Sequence, residues 1–232
     1  MVAGGTRGFA DGDGRAAQFD SLSGLAIDRD GVLYVADTGN HAIRRVAPDG
    51  GVTTLAGDGI AGDADGTGSQ ARFNGPVGVA IDAQGRVIVA DTYNDRIRSI
   101  TRDGVVATVA GGGGAGAEDG PADLARFDTP CGIAADAAGN IYGADSGNGA
   151  IRRIDTAAQV STLTRDIEGL PLRPIGIVVD ARGTSYISDE RGRIVELTSD
   201  LRGRTVAGTL PGFRDGPGRD ARFRRQGAQR DR

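Results

Sequence analysis

Short runs of alternating apolar and polar residues follow one another along the chain, separated by Asp-Gly and Asp-x-x-Gly turns. An alternation with a period of two is typical of a β-strand with one buried face, and turns of two to five residues join antiparallel neighbours. The pattern predicts an all-β protein built from antiparallel sheets. Four such runs occur in succession in VGVAID (77–82), RVIVAD (86–91), RIRSI (96–100) and VVATVAG (105–111).

This set of four runs repeats along the chain. The Asp that ends the second run recurs at spacings of 54, 54 and 44 residues, and so does the Asp that begins the Asp-x-x-Gly turn. One four-stranded unit cannot bury both of its faces, so the repeats must stack on one another. The repeat predicts a β-propeller rather than a β-sandwich, which would not explain the common register. The two series are Asp37, Asp91, Asp145, Asp189 and Asp28, Asp82, Asp136, Asp180.

The stretch PVGVAIDAQGRVIVADTYNDRIRSI (76–100) resembles an NHL repeat of the bacterial type, as does PCGIAADAAGNIYGADSGNGAIRRI (130–154). The shared pattern is Pro-x-Gly-(Ile/Val)-Ala-x-Asp, then x-x-Gly, then a strand ending Ala-Asp-(Thr/Ser)-x-Asn-x-x-Ile-Arg. Residues 22–46 match apart from the departure at Ser23, and residues 174–197 match with a shorter turn that lacks Asn. The resemblance implies a propeller of NHL repeats, which usually has about six blades.

The repeats predict a single domain over residues 1–232 with four complete four-stranded antiparallel blades. Partial repeats are expected at both ends of the sequence, so the chain is interpreted as a fragment of a ring of about six blades, or as a truncated reading frame. If the ring is complete instead, a monomer is expected. The blades are placed at about 22–57, 76–111, 130–164 and 174–208, and the partial repeats at 1–19 and 215–232.

Composition narrows the possible functions. The net charge is −4 and the 27 basic residues, all Arg, are spread among 31 acidic ones, which makes nucleic-acid binding unlikely as a function. The single Cys excludes an intrachain disulfide, and no apolar run is long enough to span a membrane. The first residues do not resemble a signal peptide, but NHL relatives in bacteria are often exported, so the localisation stays open.

One polar constellation recurs in three blades, and repetition favours a structural role over catalysis. The Asp and Asn stabilise a short turn, and an Arg on the next strand pairs with the Asp and with backbone carbonyls. His41 stands where the other copies have Asp95 and Gly149, and we interpret it as a solvated turn residue outside this repeat. The structural set is Asp37, Asn40, Arg44, Asp91, Asn94, Arg98, Asp145, Asn148 and Arg152.

The long loops before the blades carry Asp-Gly pairs and an Arg-Phe pair. Loops DGDG (11–14) and DADG (63–66) leave calcium as a cofactor to be considered, although Asn74 stands where an EF-hand would need Glu. The recurring Phe is expected to dock between blades with an Arg above it. No other cofactor and no catalytic residue is predicted.

The favoured function is a non-enzymatic scaffold that binds a protein, peptide or glycan on the face carrying loops 6–18, 58–72 and 112–126. The alternative is an enzyme resembling the propeller lactonases or peptide-amidating lyases, with a metal near the axis; the inner strands are apolar and lack His, which disfavours it. The candidate binding residues on this face are Asp11, Asp65, Arg72, Tyr93, Asp119 and Arg126.

Overall fold

The computed structural model describes residues 3–208, which form four blades of a β-propeller. The first three blades are five-stranded antiparallel sheets and the fourth has four strands. The first blade contains β1 (Gly12–Asp13), β2 (Leu22–Ile27), β3 (Leu33–Asp37), β4 (Ala42–Val46) and β5 (Gly51–Ala56). The second contains β6 (Gly66–Thr67), β7 (Pro76–Ile81), β8 (Val87–Asp91), β9 (Arg96–Ile100) and β10 (Val105–Ala110).

The remaining strands belong to blades 3 and 4 and to the hairpin between them. Blade 3 contains β11 (Gly120–Pro121), β12 (Pro130–Ala135), β13 (Ile141–Asp145), β14 (Ala150–Ile154) and β15 (Gln159–Thr164). The hairpin consists of β16 (Asp166–Ile167) and β17 (Leu170–Pro171). Blade 4 contains β18 (Pro174–Val179), β19 (Ser185–Asp189), β20 (Arg193–Leu197) and β21 (Gly203–Ala207). The all-β propeller predicted from the sequence is therefore confirmed.

Each of the first three blades gains one strand that the sequence pattern did not predict. The loop that precedes the blade adds a two-residue strand to its outer edge, so that the order in blade 1 is β1-β5-β4-β3-β2. The long loop 6–18, which the repeat pattern placed in a partial repeat at 1–19, contributes a strand to blade 1 in this way. The Asp-Gly pairs mark the start of these strands, because the Gly of each pair is the first residue of the strand. Residues 215–232, the other expected partial repeat, lie outside the described residues.

The turns between β2 and β3 follow the chemistry expected of Asp-x-x-Gly. One oxygen of Asp28 accepts hydrogen bonds from the backbone N–H groups of Asp30 and Val32, at 2.9 Å each. Gly31 has φ +81°, in the left-handed region that side chains other than Gly avoid. These turns lie at the end of the blade opposite the long loops, because strand direction alternates within each sheet.

The hydrophobic core lies between consecutive blades. Phe73 is fully buried and belongs to the apolar cluster that contains Ile43 of blade 1 and Val89 of blade 2. Phe127 occupies the same place between blades 2 and 3. Burial of a large side chain contributes roughly 1.5–3 kcal/mol, so each junction is stabilised by its own apolar cluster. The recurring Phe is thus an inter-blade residue, as predicted.

The Gly of each Pro-x-Gly segment allows neighbouring inner strands to approach closely. A β-bulge interrupts the pairing of the innermost strand at this point, between Pro76 and Val79 in blade 2. A Cβ atom added to Gly78 would overlap the carbonyl oxygen of Cys131 in the next blade, and one added to Gly132 would lie 2.7 Å from the Cα atom of Gly176. Backbone therefore meets backbone near the propeller axis, and only Gly leaves room for it.

The four inner strands succeed one another as β2, β7, β12 and β18, each packed beside the next. Within residues 3–208 no comparable packing joins β2 to β18. Leu25 and Ile27 of β2 and Val178 of β18 are correspondingly exposed. The outward-facing sides of blades 1 and 4 thus present apolar side chains to solvent along their inner strands.

Candidate functional site

The recurring Asp, Asn and Arg side chains come together at the end of each of the first three blades. In blade 1 a guanidinium nitrogen (Nη1) of Arg44 lies 2.7 Å from Oδ2 of Asp37, and the Asn40 amide donates to the same oxygen at 2.9 Å. Both ionic side chains are fully buried. The ion pairs Arg98–Asp91 and Arg152–Asp145 reproduce this arrangement at 2.8 and 2.7 Å. We call each such set a clamp.

Each clamp also holds the long loop that leads into its blade. The Asn40 amide donates to the carbonyl of Gly8 at 2.7 Å, and Nη2 of Arg44 donates to the carbonyl of Ala10 at 2.8 Å. The Arg44 guanidinium lies 4.9 Å above the centre of the Phe19 ring, a cation–π distance. The Arg above the recurring Phe is therefore the clamp Arg rather than the adjacent Arg of the Arg-Phe pair. The clamp fixes the fifth strand and the Phe of its own blade.

Burial and hydrogen bonding have opposite effects on the pKa of the clamp carboxylates. Burial raises the pKa of Asp91 and Asp145 above the ordinary aspartate value, against hydrogen bonds that lower it. At Asp11 and Asp119 burial also acts to raise the pKa, but hydrogen bonds from a Thr and from the clamp Arg outweigh it, so that the pKa is lowered. In blade 3 the outer carboxylate of Asp119 therefore remains ionised at a pH low enough to protonate the buried Asp145, and Arg152 keeps a charged partner.

Blade 4 builds its clamp from different sequence positions. Val195 occupies the register position of the clamp Arg, and the guanidinium that pairs with Asp189 comes from Arg193, two residues earlier. The hairpin β16–β17 replaces the long loop, and Glu168 in its turn accepts the N–H of Thr205, as Asp119 accepts that of Thr162 in blade 3. The shorter repeat spacing before blade 4 corresponds to this replacement.

Two side chains of the clamp turn reach the next blade in each of blades 1 and 2. The Thr38 hydroxyl donates to the carbonyl of Pro76 at 2.6 Å, and Nδ1 of His41 accepts the N–H of Gly75 at 3.0 Å. At the next junction Thr92 and Asp95 make the same two bonds. We call this pair of contacts the clasp. The interpretation of His41 as a solvated residue outside the repeat was wrong, because it shares the acceptor role of Asp95.

Substitutions at His41 should distinguish the stability contributed by the accepted hydrogen bond from that contributed by the packing of the ring. His41→Asp is expected to leave the free energy of unfolding nearly unchanged, since Asp95 serves as acceptor at the equivalent position. His41→Leu leaves the Gly75 N–H without its acceptor and should cost about 1 kcal/mol. Urea unfolding of both variants measures the difference. An equal loss in both would mean that the imidazole ring itself, and not the accepted hydrogen bond, stabilises the junction.

The six candidate binding residues lie at the long-loop end of the blades, but not as one group. The carboxylates of Asp11, Asp65 and Asp119 complete the clamps, each within hydrogen-bond distance of a clamp Arg and of a Thr on the outer strand. Arg72 pairs with Asp58 at 2.9 Å. Tyr93 and Arg126 are exposed at this face.

Apart from Tyr93, the exposed apolar side chains on this face were not foreseen from the sequence. Leu124 is 67% exposed and Tyr93 is 64% exposed, and Ile60 and Phe9 are exposed as well. Each of the three long loops contributes one of them, while Tyr93 comes from a clamp turn. The ring of Phe9 lies against Gly59, next to Ile60, so the first two loops meet at an apolar contact. Loop residues show no periodicity, and therefore no pattern could have identified the three side chains that the long loops contribute.

The described part of the chain offers no constellation for metal chemistry. Between residues 3 and 208 no group of three or more His, Cys, Asp or Glu side chains is placed to hold a metal ion. The acidic loops considered for calcium use Asp11 and Asp65 within the clamps. That same span contains no helix with the length and apolarity needed to cross a membrane.

Two segments, residues 19–46 and 73–98, match the NHL repeat family. The Arabidopsis thaliana Protein SUPPRESSOR OF QUENCHING 1, chloroplastic, is 41% identical over 95 residues, which are 40% of this chain and 9% of that protein. NHL repeat-containing protein 2 of Gallus gallus is 40% identical over 89 residues, which are 38% of this chain and 12% of that protein. The chain thus spans only a small part of the length of these relatives.

A solved streptogramin B lyase has a similar fold. The TM-score is 0.60 at 14% identity, and the match covers 86% of this chain and 60% of the lyase. An identity this low shows a common fold and nothing further about function. The four blades described here therefore correspond to only part of the lyase.

Proposed function

Because this chain is an NHL-repeat β-propeller protein, we propose that it acts as a non-enzymatic binding module for a protein, peptide or glycan, which it takes on the long-loop face. The observation that carries the proposal is the group of exposed apolar side chains there, Phe9, Ile60, Tyr93 and Leu124. Exposed apolar groups on a rigid scaffold are typical of interaction sites.

The polar residues of this face support binding rather than catalysis. Each clamp carboxylate is bound to a buried guanidinium and to an Asn amide, so it is not free to accept a proton from a substrate. The same set occurs in three blades, whereas a catalytic set is normally present once. Arg126 and the partly exposed Arg72 remain as charged groups around the apolar residues. Apolar contacts with a polar rim suit a protein or peptide ligand.

Tyr93 is the residue expected to contribute most to binding. Its ring lies over Gly75, where a Cβ atom would overlap it, so the side chain has a defined position despite its exposure. A preordered aromatic side chain loses little conformational entropy on binding, and Tyr is enriched among residues that dominate interface energies. A ring held in this way also offers a stacking surface for a sugar, which keeps a glycan among the candidate ligands.

Arrays of peptides and of glycans probed with the labelled chain test the proposal. Ligands selected in this way should bind at least tenfold more weakly to the Tyr93→Ser and Leu124→Ser variants. Val105→Ser is the matched control, because Val105 is an exposed apolar residue at the opposite end of blade 2. Loss of binding in the control alone would place the ligand on the other face.

The alternative of a propeller enzyme predicts a different result. Turnover of lactone or peptide-derived substrates that depends on added Ca²⁺ or Zn²⁺ would overturn the scaffold function. Such an activity should be lost when the metal is removed by a chelator, whereas ligand binding by the scaffold should persist in the presence of the chelator.

A further inference from the structure

The inner strand of blade 1 displays apolar side chains at positions that are covered in the next blade. Leu25 is 64% exposed and Ile27 is 62% exposed. Val79 and Ile81 occupy the same register positions in blade 2, where they pack into the core shared with blade 1. The side of blade 1 that carries Leu25 and Ile27, which we call the leading face, is therefore built like a face that contacts a preceding blade.

The backbone at the start of this face has the geometry of a clasp acceptor site. Gly75 and Thr129, just before the inner strands of blades 2 and 3, have φ of +57° and +45° and donate their N–H groups to the clasp of the preceding blade. Ser21 holds the equivalent position in blade 1 with φ +52°. Its N–H has no acceptor among residues 3–208. A left-handed conformation is unfavourable for Ser, and the clasp provides a reason for it.

An open cleft lies in front of Ser21. Its volume is about 460 Å³, and Arg7, Phe19, Asp20 and Leu22 contribute to its walls. Leu22 stands at the position of Pro76, whose carbonyl accepts the Thr38 hydroxyl at the first junction. The turn of a preceding blade would therefore enter this cleft and find both of its hydrogen-bond partners there.

We propose that the leading face of blade 1 is a docking surface for a further NHL blade, one whose clamp turn reads Asp-(Thr/Ser)-x-Asn-(Asp/His). The Thr or Ser hydroxyl of that turn would donate to the Leu22 carbonyl, and its Asp or His would accept the Ser21 N–H. Its inner strand would cover Leu25 and Ile27. The inference rests on the fact that the same contacts occur between blades 1 and 2 and between blades 2 and 3.

A second copy of this chain is a poorer occupant. The surface it could offer is the outward face of its blade 4, whose turn has Glu190 in place of the Thr or Ser and Gly192 in place of the acceptor. Ser188 also stands on that face where the preceding blades have Ala36, Ala90 and Ala144. Neither clasp bond would form with such a partner.

An extended chain tests the proposal. A second copy of residues 58–108, which contains blade 2 with its Thr92 and Asp95, is placed before Val2, since VAGG at 2–5 reproduces VAGG at 109–112. We expect hydrogen exchange at the Ser21 amide to slow at least tenfold. The matched control carries Thr92→Val and Asp95→Ala in the added copy alone, and its Ser21 amide should exchange as in the original chain. Unchanged exchange at Ser21 in the extended chain without these substitutions would overturn the proposal.

Ile27→Arg tests the leading face by a substitution in blade 1 itself, with the added blade left unchanged. In the original chain this substitution should leave the urea midpoint unchanged, because the side chain is exposed. In the extended chain it should abolish the protection of Ser21. A destabilised original chain, or a dimer in sedimentation analysis that Ile27→Arg dissociates, would mean that the leading face is already covered by this chain itself and would refute the proposal.

Discussion

Replacing Arg152 by Val is expected to lower the free energy of unfolding by about 3–5 kcal/mol, as is usual when a buried ion pair loses one partner. Arg152 is fully buried and donates to the carboxylates of Asp145 and Asp119 and to two backbone carbonyls. Its removal leaves a buried carboxylate without a cation and releases the loop that carries the fifth strand of blade 3. Chemical denaturation followed by circular dichroism measures the loss.

A comparison between blades shows whether the missing charge is the cause. Blade 4 has Val at the clamp position and takes its cation from Arg193. Blade 2 has Arg96 at the position of Arg193, whereas blade 3 has Ala150 there. Arg98→Val should therefore cost less than Arg152→Val, and adding Ala150→Arg should restore part of the loss in blade 3. Equal losses with no restoration would show that packing of the Arg side chain, and not its charge, stabilises the clamp.

The second large effect is expected for Gly132→Ala, which should cost about 3 kcal/mol or more through overpacking. The new methyl group would lie within 2.8 Å of the Gly176 Cα atom, the Ile175 carbonyl oxygen and the Ile177 nitrogen of blade 4. Backbone atoms cannot rotate away as a side chain can, so the two blades must separate. Loss of protection against hydrogen exchange in β18 would locate the damage.

Gly143→Ala is the control for this substitution. Gly143 also lies within a strand of blade 3, but the nearest atom to an added Cβ is the Cδ1 atom of Ile133 at 3.8 Å. This variant should be tolerated or slightly stabilised, since Gly in a strand interior costs about 0.5–1 kcal/mol relative to Ala. A similar loss in both variants would contradict the assignment of Gly132 to a close approach between blades.

The elements that could be predicted from the sequence are those fixed by local chemistry. These elements are the Asp-x-x-Gly turns, the four strands of each blade and the contact of Asp37 with Asn40 and Arg44. They follow from residues that are close together in the chain and that repeat often enough to exclude chance. The role of His41 could not be predicted in this way. Its partner, Gly75, is 34 residues away, and only the stacking of the blades brings the two together.

Three other features could not be predicted from local sequence. The fifth strand of each of the first three blades consists of two residues, too few to give an alternating pattern. In blade 4, Glu168 takes the role of the outer Asp and Arg193 takes that of the clamp Arg. Both stand at repeat positions that differ from those of their counterparts in the preceding blades, so an alignment of the repeats cannot detect them. The apolar residues of the long loops were likewise invisible, because a loop has no register against which exposure can be judged.

The loop-derived edge strand also determines where one repeat can be exchanged for another. Each of the first three blades takes its fifth strand, its Phe and its outer carboxylate from the segment directly before it, so every component of these clamps lies within one continuous stretch of chain. Recombination between β10 and β11, near Gly113 and Gly114, would transfer a whole blade without dividing a clamp. A gene for such a protein can therefore gain or lose blades at these loops by simple duplication or deletion, and chimaeras designed with the same breakpoints should keep every buried ion pair intact.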